Sequence, residues 1–192
     1  MNHPVHHLQL QEWKNATQRV LPLRIKESNL VQKCFLKITQ FRTQTPEPLN
    51  VFGVLARMDN IFPNYLLFMK NILFKGKISR QDKELVVLRL AWTLQCSYEW
   101  HHHEVFAKDL GISDEMIASL TLAESELWTE RVRVIIACTD QLIQDKVLSD
   151  ENFRKLKYYY TDDQIVEFCM LVGHYVMVAM TINTCGIQPE DI

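Results

Sequence analysis

The sequence predicts an all-α fold, a single-domain helical bundle, and three observations support that prediction. The chain has five glycines and six prolines, and no alternating apolar–polar stretch in it ends in an Asn-Gly or Asp-Gly turn. Serine or threonine residues that favour helix N-termini stand before several apolar segments. With 192 residues, the chain is long enough to bury a substantial core within one domain.

The first part of the chain is expected to differ from the rest. Residues 1–45 are predicted to form a helical lead-in, and residues 46–192 the main domain. Pro46 and Pro48, in the segment RTQTPEPLN, mark the one obvious linker between them.

The middle of the chain predicts a central helix. Ser79 precedes the segment RQDKELVVLRLAW and is expected to cap a helix there, with Asp82 favouring its positive end. Residues 85–88 and 90–92 are apolar on nearly all sides of this helix, which is typical of a buried helix. Gly111 stands where a C-terminal glycine would end the following helical segment.

Further helices are indicated in the second half of the chain. Ser113 and Ser149 each precede a segment with acidic residues in its first turn. The segment from Trp128 onward is amphipathic, and Thr161 with Gln164 forms a capping box before a long apolar stretch.

Composition and charge exclude several classes of function. The formal net charge is −2 and no large basic block is present, so neither nucleic acid nor an anionic membrane is a predicted partner. The opening MNHPVHHLQLQEW lacks the features of a signal peptide, and five scattered cysteines without a CxxC pair do not form a disulfide framework. A reducing, cytoplasmic location is therefore predicted. The longest apolar run, residues 168–182, is shorter than a membrane span and predicts a core or subunit-interface helix.

The segment from Glu84 to Gly111, ELVVLRLAWTLQCSYEWHHHEVFAKDLG, concentrates the side chains that can do chemistry. On a helix, Cys96, Glu99 and His103 stand at positions i, i+3 and i+7 and lie along one stripe. A carboxylate one turn before an imidazole can hold its tautomer and raise its basicity, and a thiol is then within reach of a base. The pattern indicates an acid–base or nucleophilic site, although Glu–x3–His pairs also occur on solvated helix faces.

This segment resembles the carboxymuconolactone decarboxylase-like superfamily, which includes the alkylhydroperoxidase D-like proteins. The matching elements are Glu84 in ELVVLR, Cys96, the YEW of residues 98–100, His103 and the A-x3-G of residues 107–111. Segments 50–73 and 174–187 add to the resemblance, which covers about residues 46–187. It implies a helical bundle of this family's type, a small-molecule substrate and assembly as a homo-oligomer, a trimer or a hexamer. No cofactor is predicted.

The resemblance also implies that Glu84 reaches the site. On one straight helix, Glu84 and Cys96 are twelve positions apart and would lie about 120° apart around the axis. The superfamily has a helix break that corresponds to residues 93–97, which would let Glu84 fold back towards Cys96. Otherwise Glu84 is a surface residue near a helix start. Cys96 would begin the second helix, where the dipole lowers a thiol pKa; its alternative role is a small buried apolar side chain.

Glu99 departs from the hydroperoxidase pattern. Those relatives carry a second cysteine three residues after the first, whereas residues 96–99 of this chain read Cys-Ser-Tyr-Glu. Thiol–disulfide cycling needs a resolving sulfur, so the missing CxxC pair argues against a dithiol peroxidase. A carboxylate suits general acid–base chemistry, as in decarboxylase-type relatives that bear YEW, and His103 is the predicted base or proton relay.

Other residues near the motif are given supporting roles. Tyr98, Trp100 and His102 are predicted to line the substrate pocket, and His101 to face solvent. Consecutive histidines on a helix splay by about 100° and cannot converge on one ion, so no metal is predicted. Zinc or iron held by the two glutamates and His103 is the weaker alternative. His174, in an apolar segment, is expected to be a core histidine, with the pocket wall as its alternative place.

The leading hypothesis is a carboxymuconolactone decarboxylase-like enzyme that moves protons on a small carboxylated or lactone-like organic substrate. His103 would act with Glu99 or Glu84, and Arg89 or Arg57 could bind a substrate carboxylate. Loss of CO2 passes through an enolate-like intermediate, which requires a proton donor beside an electrostatic stabiliser. The alternatives are a hydroperoxide-reducing antioxidant protein with Cys96 as its single reactive thiol, and a non-catalytic helical oligomer.

Overall fold

The structure, a computed structural model, describes Trp13 and residues 17–43 and 45–190. Over these residues it contains helices and no strand, which confirms the all-α prediction for the described part of the chain. The α-helices are α1 (Leu30–Thr43), α2 (Asn50–Leu55), α3 (Phe62–Phe74), α4 (Arg80–Thr93), α5 (Ser97–Asp109), α6 (Asp114–Ser119), α7 (Glu130–Asp145), α8 (Asp150–Tyr159) and α9 (Asp162–Cys185), with short 3₁₀ helices at Ile25–Glu27 and Ala56–Met58.

The chain divides into two compact units. Of the described residues, the first contains Trp13 and residues 76–180, and the second contains residues 17–43, 45–75 and 181–190. Residues 1–12 of the predicted lead-in lie outside the described residues, and α1 is the helix found in its remainder. The separation of a lead-in from a main domain at residue 45 stays a prediction.

The helix starts predicted from the sequence are present in the first unit. Side-chain oxygens of three serines accept hydrogen bonds from backbone N–H groups three residues later: Ser79 from Asp82, Ser113 from Met116 and Ser149 from Asn152. Thr161 and Gln164 bond reciprocally in the predicted capping box. Gly111 has a φ of 81°, in the left-handed region expected of a glycine that ends a helix. Capping side chains therefore fix several boundaries that position the site.

Helix α4 is the central helix of the first unit and packs against α5 and α7. Its side chains from Leu85 to Ala91, Arg89 included, are all buried, as the unbroken apolar run predicts. Burial of a valine- or leucine-sized side chain contributes about 1.5–3 kcal/mol, so this run is a major part of the unit's stability. The core thus holds the residues of α4 in fixed positions against α5.

The break between α4 and α5 lies where the resemblance implied it. Helix α4 ends at Thr93 and α5 begins at Ser97, with Cys96 as its N-cap residue. Gln95 has a φ of 54°, a left-handed conformation that turns the chain sharply. The backbone N–H of Cys96 bonds to the carbonyl of Ala91 at 2.8 Å, which closes this turn. As a result α5 folds back along α4.

Helix α9 has one face in the core and one exposed face. Tyr175 and other large side chains of α9 are buried, as predicted for a core helix, while Val166, Met170 and Met177 are exposed at helical spacing. By length and composition alone, α9 is the one helix of the described residues that could cross a membrane, and half of its apolar window is buried in the protein. The core helix of a folded domain and a membrane-spanning helix have similar length and composition. The burial of half of this window inside the protein is the observation that favours a core helix.

Candidate active site

Three ionisable side chains meet inside the first unit. The imidazole of His103 lies between two carboxylates, with Nδ1 2.6 Å from Oε2 of Glu84 and Nε2 3.3 Å from Oε2 of Glu99. The side chains of His103, Glu84 and Glu99 are 11%, 13% and 7% exposed. The arrangement is a carboxylate–imidazole–carboxylate cluster with little access to solvent.

Two features of the sequence build this cluster. Glu99 and His103 stand four residues apart on α5, so their side chains meet on one helix face. Glu84 comes from α4 and reaches His103 because the chain turns back at Gln95. Glu99 also lies in the first turn of α5, where the positive end of the helix favours a carboxylate.

The two carboxylates hold a proton on His103. Burial by itself lowers the pKa of His103, but the hydrogen bonds from its ring to Glu84 and Glu99 outweigh burial and raise that pKa to about 9. At neutral pH the ring is therefore an imidazolium whose two N–H groups each donate to a carboxylate. Such a group is a proton donor near pH 7 and becomes a base only after it has given up its proton.

The two contacts of His103 are unequal. The 2.6 Å bond to Glu84 is short, as expected of a charge-assisted hydrogen bond, whereas the 3.3 Å contact with Glu99 is long. Glu84 thus fixes the ring through Nδ1, in the way that an orienting carboxylate holds a catalytic histidine. The Nε2 side is the looser one, where a substrate could take part in proton transfer together with Glu99.

Cys96 begins α5, but its thiol is not activated. The residue is fully buried, and burial, with a smaller effect of nearby Glu99, raises the pKa of Cys96 to about 12. Backbone N–H groups at the start of α5 lower this pKa, and they do not offset the loss of solvation. The helix N-terminus thus lowers the thiol pKa as expected, but burial outweighs it, and the structure favours the alternative role of Cys96 as a small buried side chain.

This environment predicts that Cys96 is an inert thiol at neutral pH. In the native protein, iodoacetamide is expected to modify the exposed Cys34 and Cys169 first and to leave Cys96 and Cys138, both buried, largely unmodified. Mass spectrometry of the labelled peptides would measure this order. Peroxide treatment should form no sulfenic acid at Cys96, since the thiolate is the reactive species. Selective oxidation of Cys96 would contradict the prediction.

The residues predicted to line a pocket lie on α5 near the cluster. Tyr98 is buried and its ring stacks on that of His102 at 4.3 Å. His102 Nδ1 lies 2.8 Å from the carbonyl oxygen of Tyr98. Trp100 packs against Trp92, with ring centroids 5.9 Å apart, and against Trp13 at 6.2 Å. Contact of Tyr98, Trp100 and His102 with a substrate stays a prediction.

Other aromatic residues surround His103 more closely. The ring of Tyr175, from α9, meets the His103 ring edge to face at 5.1 Å, and Phe106 does so at 5.6 Å. Sequence reasoning missed both. Phe106 stands three residues after His103 and could have been found by helical spacing, whereas no local signal marks Tyr175.

His174 is buried beside this group, as predicted for a core histidine. Its ring lies 5.1 Å from that of Tyr175. Burial is the main reason that the pKa of His174 falls to about 4, with Glu99 opposing the change. His174 is therefore neutral at pH 7 and adds no charge to the site.

Of the two arginines proposed for substrate binding, Arg89 is already engaged in the protein. Arg89 pairs with Asp140 through two hydrogen bonds, Nε–Oδ1 at 2.8 Å and Nη2–Oδ2 at 2.7 Å. Its Nη1 donates to the carbonyls of Leu120 and Leu122 at 2.7 and 2.6 Å. The expectation that Arg89 could bind a substrate carboxylate is therefore wrong, because its guanidinium is already engaged. Arg57 belongs to the second unit, where its Nε donates to the Leu21 carbonyl.

The arrangement of possible metal ligands can be described for part of the chain. Among the residues that the structure describes, no group of three or more His, Cys, Asp and Glu side chains is arranged to hold a metal ion. The cluster around His103 is thus described by its proton chemistry.

The two buried histidines predict opposite effects of pH on stability. The folded pKa of His103 is about 9, above the ordinary histidine pKa of 6.5, so its stabilisation is complete below pH 6.5 and is lost as pH rises towards 9. The folded pKa of His174 is about 4, so its contribution is present above pH 6.5 and is lost as pH falls towards 4. Each change is about 3 kcal/mol at 1.36 kcal/mol per pKa unit.

From these two residues we expect the free energy of unfolding to be highest near pH 6.5. Urea unfolding between pH 4 and 9 would measure it. His103→Gln should flatten the alkaline limb and His174→Gln the acid limb, so each variant is the control for the other. Parallel curves for the wild type and both variants would contradict the assignment.

Fold and site together define an all-α protein with a buried carboxylate–imidazole–carboxylate cluster, and part of its chain matches a known family. Residues 61–141 match the family model described as the carboxymuconolactone decarboxylase family. No curated protein gives a significant match.

Several solved structures share the fold along most of their length. A peroxidase-related protein with an alkylhydroperoxidase AhpD core, from Ralstonia eutropha JMP134, has a TM-score of 0.80 at 15% identity, covering 92% of this chain and 94% of that one. A peroxidase-related protein from Silicibacter sp. TM1040 has a TM-score of 0.75 at 13% identity, with 93% and 95% covered. The apo debrominase Bmp8 has a TM-score of 0.75 at 14% identity, with 91% and 94% covered.

Residues 61–141 thus match the family to which the sequence showed a resemblance, and the fold of the chain is the AhpD-like helical fold of these solved structures. At these low identities the solved structures establish a shared fold and not a shared reaction. The debrominase and the peroxidase-related proteins also indicate that the fold supports more than one chemistry.

Proposed function

We propose that this protein is an acid–base enzyme of the carboxymuconolactone decarboxylase-like type, a lyase, acting on a small carboxylated or lactone-like organic compound. The observation that carries the proposal is the buried His103, held between Glu84 at 2.6 Å and Glu99 at 3.3 Å. A buried imidazolium whose pKa is raised to about 9 can donate a proton at neutral pH, which an enolate-forming reaction needs.

The unequal contacts suggest separate roles for the two glutamates. Glu84 orients the imidazole through Nδ1 and balances its charge. On the Nε2 side, Glu99 takes a proton from substrate carbon while His103 Nε2–H donates to the carbonyl oxygen on which negative charge develops. The C–H electron pair becomes the C=C bond of the enol, and the carbonyl π pair moves onto oxygen. The reverse transfers restore the enzyme. In the lyase reaction the electron pair of a C–CO2⁻ bond takes the place of the C–H pair, CO2 leaves, and water supplies the proton that replaces it on carbon.

A hydroperoxide-reducing role is the second candidate, and the peroxidase-related proteins of the same fold favour it. It requires a reactive Cys96 thiolate and a resolving thiol from another molecule. The burial of Cys96, its pKa of about 12 and the carboxylate of Glu99 in place of a second thiol all weaken this candidate. A non-catalytic oligomer is the third possibility, and it predicts no activity that depends on His103.

We also propose a homo-oligomer, a trimer or a hexamer, that works in the cytoplasm without nucleic acid or membrane partners. The exposed apolar stripe of Val166, Met170 and Met177 on α9 supports self-association. All five cysteines are free thiols, which suits a reducing compartment. Light scattering after size-exclusion chromatography would give the number of subunits, and a strictly monomeric protein would contradict the proposal.

Proton transfer can be tested before the natural substrate is known. The probe is a butenolide with an acetate side chain, whose ring γ-hydrogen is acidic because its loss gives a conjugated enolate. In D2O, the protein is expected to accelerate deuterium incorporation at this carbon, followed by proton NMR. The rate should fall as pH rises through about 9, where His103 loses its proton. No acceleration, or a rate independent of pH in this range, would contradict the proposed function.

A further inference from the structure

We infer that Tyr175 is a positioning residue for the acid–base site, and that its ring holds the imidazole of His103 in the orientation in which both ring nitrogens meet a carboxylate. This role rests on the proposed function, since it gives the proton donor proposed there a support from a third helix. Ring contacts, burial and the helices that supply each side chain all point to it.

The contacts of His103 require one orientation of its ring. Nδ1 lies 2.6 Å from Glu84 and Nε2 lies 3.3 Å from Glu99, so the two nitrogens meet carboxylates from different helices. A hydrogen bond weakens steeply when its donor turns away from the acceptor. The contact with Glu99 is already long, so a small tilt of the ring would break it first. This contact lies on the Nε2 side, where the proton is proposed to be transferred.

Tyr175 packs directly on this ring. The rings of Tyr175 and His103 stand 5.1 Å apart at an interplanar angle of 84°, within the range of a favourable edge-to-face pair. Tyr175 is only 4% exposed, so packed neighbours leave its ring little room to move aside. A tilt of the imidazole would therefore open a gap or create a clash at Tyr175.

The place of Tyr175 in the fold makes it independent of the other contacts. Glu84 belongs to α4, and Glu99 belongs to α5 together with His103, whereas Tyr175 belongs to α9. Phe106 also meets His103 edge to face, at 5.6 Å, but it stands on the same helix and is 47% exposed. A neighbour on the same helix moves with the histidine. Tyr175 is thus the ring that can hold His103 in place against α4.

Tyr175 is itself supported by the residue before it. The ring of His174 lies 5.1 Å from that of Tyr175 at an interplanar angle of 80°, and His174 is buried. His174 is neutral at pH 7, since burial lowers its pKa to about 4. It therefore packs on Tyr175 without adding a second positive charge near His103. His174, Tyr175 and His103 form a continuous row of packed rings.

The pKa of His103 distinguishes a positioning role from a space-filling one. Hydrogen bonds to Glu84 and Glu99 raise this pKa, whereas burial lowers it. If Tyr175 positions the ring, loss of Tyr175 weakens these bonds and the pKa falls. If Tyr175 only fills space, its loss admits water, and relief of burial raises the pKa. The direction of the change therefore decides between the two roles.

Tyr175→Leu removes the ring and keeps an apolar side chain in the core. In histidine-labelled protein, an NMR titration through about pH 9 measures the pKa of His103, whose resonances are assigned by their loss in His103→Gln. The pKa is expected to fall by at least about one pH unit, because part of the bonding to the carboxylates is lost. An unchanged or raised pKa would overturn the inference.

Two further variants separate the ring of Tyr175 from its surroundings. Tyr175→Phe keeps the ring and should keep the pKa of His103 close to that of the wild type. Phe168→Leu is the matched control, because Phe168 is fully buried on the same helix, two turns before Tyr175, and its ring packs on Tyr160 at 6.1 Å. It should lower stability as Tyr175→Leu does and leave the pKa of His103 unchanged. A fall in this pKa as large in either variant as in Tyr175→Leu would overturn the role of the ring.

Deuterium exchange of the butenolide probe gives a second readout. Tyr175→Leu is expected to lower kcat by about 10–10²-fold, as a misplaced catalytic group does, and to leave KM within about threefold. Tyr175→Phe and Phe168→Leu should both exchange the probe at nearly the wild-type rate. A raised KM with an unchanged kcat in Tyr175→Leu would assign Tyr175 to substrate binding and overturn the inference.

The two readouts separate this inference from the proposed function. If the wild-type protein exchanges no deuterium, the proposed function fails, whereas the pKa of His103 in Tyr175→Leu still decides whether Tyr175 positions the ring. If the wild type exchanges deuterium, and Tyr175→Leu matches it in kcat and in the pKa of His103, the inference fails and the proposed function stands.

Discussion

His103→Gln is expected to slow deuterium exchange of the butenolide probe by about 10²–10⁴-fold, the usual contribution of a positioned acid or base. Glutamine can keep one hydrogen bond to Glu84 or Glu99, but it has no titratable proton to give. The loss should affect kcat more than KM, because the proton moves in the transition state. Rates at saturating and subsaturating probe would measure both parameters.

The control must separate lost chemistry from lost folding. His101→Gln changes an exposed histidine two residues away on the same helix and should leave exchange within about twofold, as expected of surface substitutions. His103→Gln also removes the cation between two buried carboxylates and should lower stability. Adding Glu84→Gln relieves their repulsion, so the double variant should regain stability without activity. If activity returned with stability, His103 would be a structural residue.

Helix boundaries could be predicted because the signals that set them are local. The side-chain oxygen of Ser79 accepts a hydrogen bond from the backbone N–H three residues later. Thr161 and Gln164 cap each other within one turn. The pairing of Glu99 with His103 has the same basis, since four residues on a helix bring two side chains together. These contacts are formed within single segments of the chain.

The rest of the site depends on contacts between segments. The approach of Glu84 to His103 followed only from the resemblance, because it depends on the turn at Gln95, and the contact of Tyr175 depends on how α9 packs. The place of Cys96 at a helix start indicates the lowering effect of the helix on its thiol pKa, but not the burial that outweighs this effect. Burial decides that pKa, and burial is a property of the packed unit.

The partners of Arg89 also lie in other segments of the chain and could not be predicted from the local sequence. Its structural role can be tested. We expect Arg89→Met to lower the free energy of unfolding by about 3 kcal/mol, since removing one partner of a buried ion pair typically costs 3–5 kcal/mol. The estimate is at the lower end because the side chain of Asp140 is 35% exposed and can regain water. For a chain of this size the melting temperature should fall by about 6–12 °C. Arg154→Met, on the exposed face of α8, is the control and should melt like the wild type.

The same variant distinguishes a structural arginine from one that binds substrate. The guanidinium of Arg89 gives its donors to Asp140 and to the carbonyls of Leu120 and Leu122, so it holds α4 against α7 and the segment after α6. Below the melting temperature, folded Arg89→Met should therefore exchange the butenolide probe at a rate within about threefold of the wild type. A KM for this probe raised more than tenfold, with an unchanged melting temperature, would mean that Arg89 releases Asp140 to bind the carboxylate of the probe.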